Sequence, residues 1–180
     1  MKIVKKLLLV IAILVALPLV AALFIPRSYV VEVSENIQRP KQEIYDYMRM
    51  LKTQEEYSVW FKPDPNLKPV TTGEDGTLGA MLSWESEVED VGSGTQTIIG
   101  LTEDSVVVAL NFIKPFEGKA RAATVFQAVS ANETKVTSIF WSNSPYPFNL
   151  MSWFFGKSMM EENELKNLQN VKQILEARGR

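Results

Sequence analysis

The chain contains no cysteine and no histidine. Thiol nucleophiles, Ser–His triads, zinc fingers and histidine metal sites are therefore excluded. Acid–base chemistry is left to Glu, Asp, Tyr and Lys. Glu35 is the one candidate catalytic residue. It shares a face with Val31, Val33 and Ile37 in an alternating stretch. A carboxylate turned into a low-dielectric cavity has a raised pKa and can serve as acid or base. The competing reading is a bulge or strand end that turns Glu35 to water. Glu161 and Glu162 lie about one turn before Leu165, at the border of an inward helical stripe, with a solvated helix face as the alternative. Glu85, Glu87 and Glu89 alternate, with Asp90 after them. Side chains two apart on a twisted strand diverge, so this run reads as a solvated face. No metal and no cofactor are expected.

The elements that must position such groups begin with an apolar N-terminus. Residues 7–25 are unbroken apolar sequence. As a helix they reach roughly 28 Å, close to the ~30 Å hydrocarbon core of a bilayer. Pro18 is tolerated in such a helix. Lys2, Lys5 and Lys6 precede the run and only Arg27 lies just beyond it, so the positive-inside rule puts the N-terminus in the cytoplasm and the rest outside. A cleaved signal peptide, cut near Val20-Ala21-Ala22, is the alternative; the run continues past that site to Ile25, which favours an uncleaved anchor. The expected organisation is a cytoplasmic N-terminus (1–6), a single-pass transmembrane anchor (7–25), a short tether (26–28), one domain (29–177) and a tail (178–180). The domain is then extracytoplasmic, periplasmic or at the cell surface.

The chain has 180 residues, 46% of them apolar and 22% charged, enough for a packed core. Formal net charge is −2, and leaving out Lys2, Lys5 and Lys6 makes it −5, because no acidic residue precedes Glu32. Phosphate contact needs a basic face, so nucleic acid is set aside as a partner. No protein partner can be named from the sequence.

Residues 29–38 alternate as a strand. Pro40 suits a first helical position, followed by the stripe Ile44, Met48 and Leu51. Thr53 with Glu56 reads as a capping box for a second short helix carrying Tyr57 and Trp60. From Leu67 onward, alternation and turns at Asp75-Gly76, Gly92–Gly94, Glu103-Asp104, Glu117-Gly118 and Ala131-Asn132 predict about six strands in an antiparallel meander. A long helix is predicted over 150–177, with Asn149 as its cap and Pro145 and Pro147 before it. Met151, one of Phe154 or Phe155, Leu165, Leu168, Val171 and Leu175 form its apolar stripe. The predicted fold class is α+β.

Several motifs carry a resemblance. They are Tyr57-Ser-Val-Trp60 followed by Asp64-Pro65-Asn66, then Lys114-Pro-Phe-Glu-Gly118, then Tyr146-Pro-Phe-Asn-Leu-Met151. With the element order, they resemble the START-like or SRPBCC superfamily, and in particular its small membrane-anchored bacterial members described as polyketide cyclase/dehydrase-like. Tyr57 stands where a tryptophan is usual. The resemblance spans residues 29–177 and implies a helix-grip fold: an antiparallel sheet wrapped around a long C-terminal helix, with a cavity between them. Alternation along residues 119–130 turns Ala120, Ala122, Thr124 and Phe126 inward, and three small residues leave room under the helix. The expected ligand pocket is Trp60, Leu82, Trp84, Phe112, Ala120, Ala122, Phe126, Phe140, Met151 and Phe155. The leading expectation is binding of a hydrophobic or amphipathic small molecule, lipid or polyketide-like. The alternatives are a cyclase or dehydratase using a buried carboxylate, and an envelope protein-interaction module with a filled core.

Overall fold

The computed structural model describes residues 2–178. Met1 and the last two residues of the expected tail lie outside the described residues. The apolar N-terminal run forms most of helix α1 (Lys2–Ala22), which contains Pro18. This helix is long and apolar enough to cross a membrane, and nearly all of it stands clear of the rest of the protein. Leu23 and Phe24 turn out of it.

Strand β1 (Ser28–Ile37) buries Val31, Val33 and Ile37, as the alternation predicts. Helix α2 (Lys41–Met48) comes next, with Pro40 one position earlier than expected, as its cap residue. The predicted capping box does not form. Leu51–Thr53 is instead a 3-10 turn, and α3 (Gln54–Tyr57) carries no side-chain cap. The Thr53 hydroxyl bonds back to the carbonyls of Tyr47 and Met50 at 2.8 and 2.7 Å. Trp60 lies beyond the helix, in a turn. The Asp75 carboxylate fixes this region by accepting the Leu51 and Lys52 amides at 2.7 and 3.1 Å.

Six further strands complete the sheet: β2 (Val70–Thr72), β3 (Met81–Glu85), β4 (Ser93–Thr102), β5 (Ser105–Lys114), β6 (Gly118–Ser130) and β7 (Glu133–Asn143). The seven strands form one antiparallel sheet in the order β1-β7-β6-β5-β4-β3-β2. Every neighbour beyond the β1–β7 pair is a sequence neighbour, which is why short-range turn signals were enough to predict the meander. Gly94 opens β4 hard against Trp84; a Cβ there would sit 2.7 Å from the Asn111 carbonyl oxygen and from the Trp84 ring. Only glycine permits that approach.

The C-terminal helix is continuous but not uniform. It comprises α4 (Asn149–Met151), a π-helical turn (Ser152–Gly156) and α5 (Lys157–Arg178). Leu168, Val171 and Leu175 are buried in the core, with Leu165 packed against it. A π turn inserts one residue, which rotates the remainder of the helix by about 100°. The predicted stripe therefore breaks at this turn. Met151, Phe154 and Phe155 are 63%, 60% and 69% exposed, not turned to the sheet. Asn149 is not the helix cap either. Its buried amide donates to the carbonyls of Ala22 and Ile25, both at 2.8 Å, and so ties this segment to the end of α1.

Candidate functional site

A cavity of about 380 Å³ lies between the sheet, α5 and the turn after α3. Strand β5 contributes Val106, Val108, Leu110 and Phe112, one face of a single alternating run. Ala122 and Thr124 of β6 and Ser138 and Phe140 of β7 continue that wall. The small side chains at 122 and 124 keep the space open. Tyr57, Trp60, Phe61 and Trp84 cover one side, and Trp84 packs between Phe61, tilted at 6.0 Å, and Phe112, edge-on at 6.3 Å. The mouth is marked by lining residues that are also exposed: Asp90, Lys114, Pro115, Phe116 and Met159.

Of the expected pocket residues, Trp60, Trp84, Phe112, Ala122 and Phe140 border this cavity. Leu82 and Phe126 are fully buried in the packed core beside it, and Ala120 packs against that core. Met151 and Phe155 are corrected outright: the π turn directs them to the surface. Glu35 is corrected too. Its carboxylate accepts a 2.6 Å bond from the Lys172 ammonium on α5, at the partly exposed flank of the helix, and it does not border the cavity. That bond holds the Lys172 ammonium above its ordinary pKa. Glu85 pairs with Lys114 at 3.5 Å, while Glu87, Glu89 and Asp90 belong to the exposed turn after β3.

The carboxylate inside the cavity is Glu164. Its Oε1 accepts the Trp60 indole N–H at 3.2 Å and an Asn167 amide N–H at 3.5 Å; its Oε2 accepts the Ser138 hydroxyl at 2.8 Å. Among the described residues no lysine or arginine pairs with it. Burial pushes its carboxyl above the usual range, and the three hydrogen bonds oppose that rise only in part. Burial first, then the Glu164 charge, raises the Tyr57 phenol as well, so that hydroxyl stays protonated.

Two buried asparagines place these groups. Asn170 donates to the Tyr57 carbonyl at 2.7 Å, and Asn167 accepts the Val59 amide at 2.8 Å. They pin the backbone of the turn to α5, and that sets the Trp60 indole on Glu164. The apolar stripe read from the sequence steps from Phe154 or Phe155 to Leu165 and so passes over Glu164. The signal was present: Met160, Glu164, Leu168, Val171 and Leu175 recur at spacings of three and four, with Asn167 three after Glu164. The arrangement gives an apolar chamber with one carboxyl and one phenol, able to receive a hydrocarbon body and to hydrogen-bond or ion-pair one polar group.

No family model matches the chain, and no curated protein matches it. Solved structures do. A norcoclaurine synthase point mutant from Thalictrum flavum, in complex with a transition-state analogue, superposes with a TM-score of 0.63 at 11% identity, covering 85% of this chain and 97% of that one. The di-domain ARO/CYC BexL gives a TM-score of 0.59 at 12% identity over 86% of this chain and 52% of its own. Ara h 8.0201 gives 0.51 at 11% identity over 80% and 98%. At such identities the likeness is one of fold. The chain has the helix-grip fold that its motifs, through their resemblance to the START-like or SRPBCC superfamily, lead one to expect.

Proposed function

We propose that this chain is a membrane-anchored, extracytoplasmic helix-grip protein that binds a hydrophobic or amphipathic small molecule, lipid or polyketide-like, between the sheet and α5. The cavity carries this reading. Its 380 Å³ falls within the roughly 300–1,000 Å³ of small-molecule sites, and its lining is apolar but for a few convergent polar groups. It disfavours a module with a filled core. The anchor is supported by the contacts of α1. A cut after Ala22 would strip Asn149 of one of its two carbonyl partners, and Tyr146, whose hydroxyl donates to the Leu19 carbonyl at 3.2 Å, of its own. Lys2, Lys5 and Lys6, in the first turns of α1 ahead of its apolar run, support an orientation with the N-terminus inside.

Extraction of the purified protein with organic solvent, followed by mass spectrometry, is expected to recover a stoichiometric amphipathic molecule. Ala122→Phe, which fills the cavity, should lose that molecule while the protein stays folded. Equal recovery from Ala122→Phe and from the unaltered chain would refute the reading.

One observation favours a second reading, an enzyme of cyclase or dehydratase type. Glu164 and Tyr57 supply a carboxyl of raised pKa and a protonated phenol in one water-poor chamber, the elements of acid–base catalysis. Glu164→Gln separates the two. A binder retains its ligand with altered affinity, whereas an enzyme accumulates unconverted substrate in the cavity.

A further inference from the structure

The segment from the end of β7 into the first turn of α5 leaves an unusual amount of apolar surface uncovered. Phe148, Met151, Phe154, Phe155 and Met159 are each at least half exposed, and Phe116, 76% exposed, reaches in from the β5–β6 turn to meet Phe148 with ring centroids 6.2 Å apart. Contiguous exposed apolar surface of this kind marks a contact with a partner or with lipid.

Its position selects lipid. Asn149 donates to the carbonyls of Ala22 and Ile25, and Tyr146 to that of Leu19, so the patch is bonded to the last turn of α1. Where α1 leaves the hydrocarbon core, the patch sits at the interface. Leu23 and Phe24, directly after α1 and beside those bonds, add further exposed apolar side chains. Lys157 lies over the Trp153 ring at 5.6 Å, and Arg27 is exposed on the tether. A cation and an indole at this level suit a headgroup layer. Two members of the patch, Phe116 and Met159, also line the cavity mouth.

We propose that this surface lies in the outer interface of the membrane that α1 crosses and opens the cavity mouth onto lipid, so that the ligand passes between bilayer and cavity without entering bulk water. The inference rests on the anchor reading above. It selects the hydrocarbon phase of the same membrane as the source of the ligand.

The absence of cysteine makes the test direct, because single-cysteine variants of the full chain carry one reporter each. A nitrobenzoxadiazole label is placed at Phe155→Cys, Phe116→Cys, Leu14→Cys within α1, and Asn132→Cys. The last lies in the exposed β6–β7 turn, at the opposite end of the ten-residue strand β1, roughly 30 Å away. The variants are reconstituted in phosphatidylcholine–phosphatidylglycerol vesicles containing doxyl-labelled lipid. Labels at 155, 116 and 14 are expected to lose at least half their emission, and the label at 132 none. Quenching at 14 without quenching at 155 overturns the interface and leaves the anchor standing. Quenching at 155 but not at 116 overturns the opening of the mouth onto lipid. No quenching at 14 removes the anchor, and this inference falls with it.

Discussion

Glu164 shows how one residue's environment decides its chemistry. Its neighbours Glu161 and Glu162 are exposed on the helix surface, while Glu164 faces Ser138, Trp60 and Asn167. Its folded-state pKa is raised, so below the unfolded value of 4.5 both states are protonated and no penalty exists. As pH rises through the folded pKa, the carboxyl ionises at the cost of burial, and stability falls. Glu164→Gln removes that cost. In urea unfolding the variant should match the unaltered protein in acid and exceed it at neutral pH, by about 1.4 kcal/mol for each pH unit between the two pKa values. A constant difference at all pH would show that the carboxyl is not desolvated. Alternation located Glu35 on the inner face of β1 but not its partner, because Lys172 comes from an element 137 residues further on.

At the scale of elements, the turn after α3 has little secondary structure of its own and is held by α5. Asn167→Ala leaves the Val59 amide without its acceptor, at a cost of about 1–3 kcal/mol. Amide exchange across residues 57–61 should accelerate several-fold, and thermal unfolding should fall by roughly 2–4 °C per kcal/mol lost. Unchanged exchange there would mean that the turn holds its place without the asparagine. The helix that contains Asn167 was legible in length and in its C-terminal stripe, since Leu168, Val171 and Leu175 obey a 3.6-residue period. The N-terminal turns were not. A π turn is a one-residue slip set by what lies on either side of it, here the Asn149 bonds to α1 and the Ser144 hydroxyl donating to Ser152 at 2.8 Å. Periodicity assumes a constant turn and so assigned Met151 and Phe155 to the wrong face.

At the scale of the whole molecule, α1 and the grip are two bodies joined at one place. The main core cluster holds residues from the sheet, α2, α3 and α5; Ala22, the last residue of α1, is buried but lies outside that cluster. A chain lacking residues 1–22 is therefore expected to fold, keep its β-rich circular dichroism, retain the cavity ligand and melt within a few degrees of the full chain. A large loss of stability would place α1 within the folding unit. Membrane association should be lost in the same variant.

Wherever a property arose from local periodicity, the amino-acid order determined it: the apolar N-terminal span, the strands and their antiparallel order, the long final helix, and the small residues at 122 and 124 that leave room beneath it. These depend on side chains within a few positions of one another, and binary pattern and turn chemistry report them. Only the tertiary structure decided which carboxylate is enclosed, that Asn149 bonds to α1 rather than capping a helix, and that Phe155 faces outward. Each of those outcomes depends on a pairing across more than a hundred residues, or on a slip in helical phase that such pairings impose. The energy of a buried polar group is set by its partners in space, and a linear pattern does not contain them.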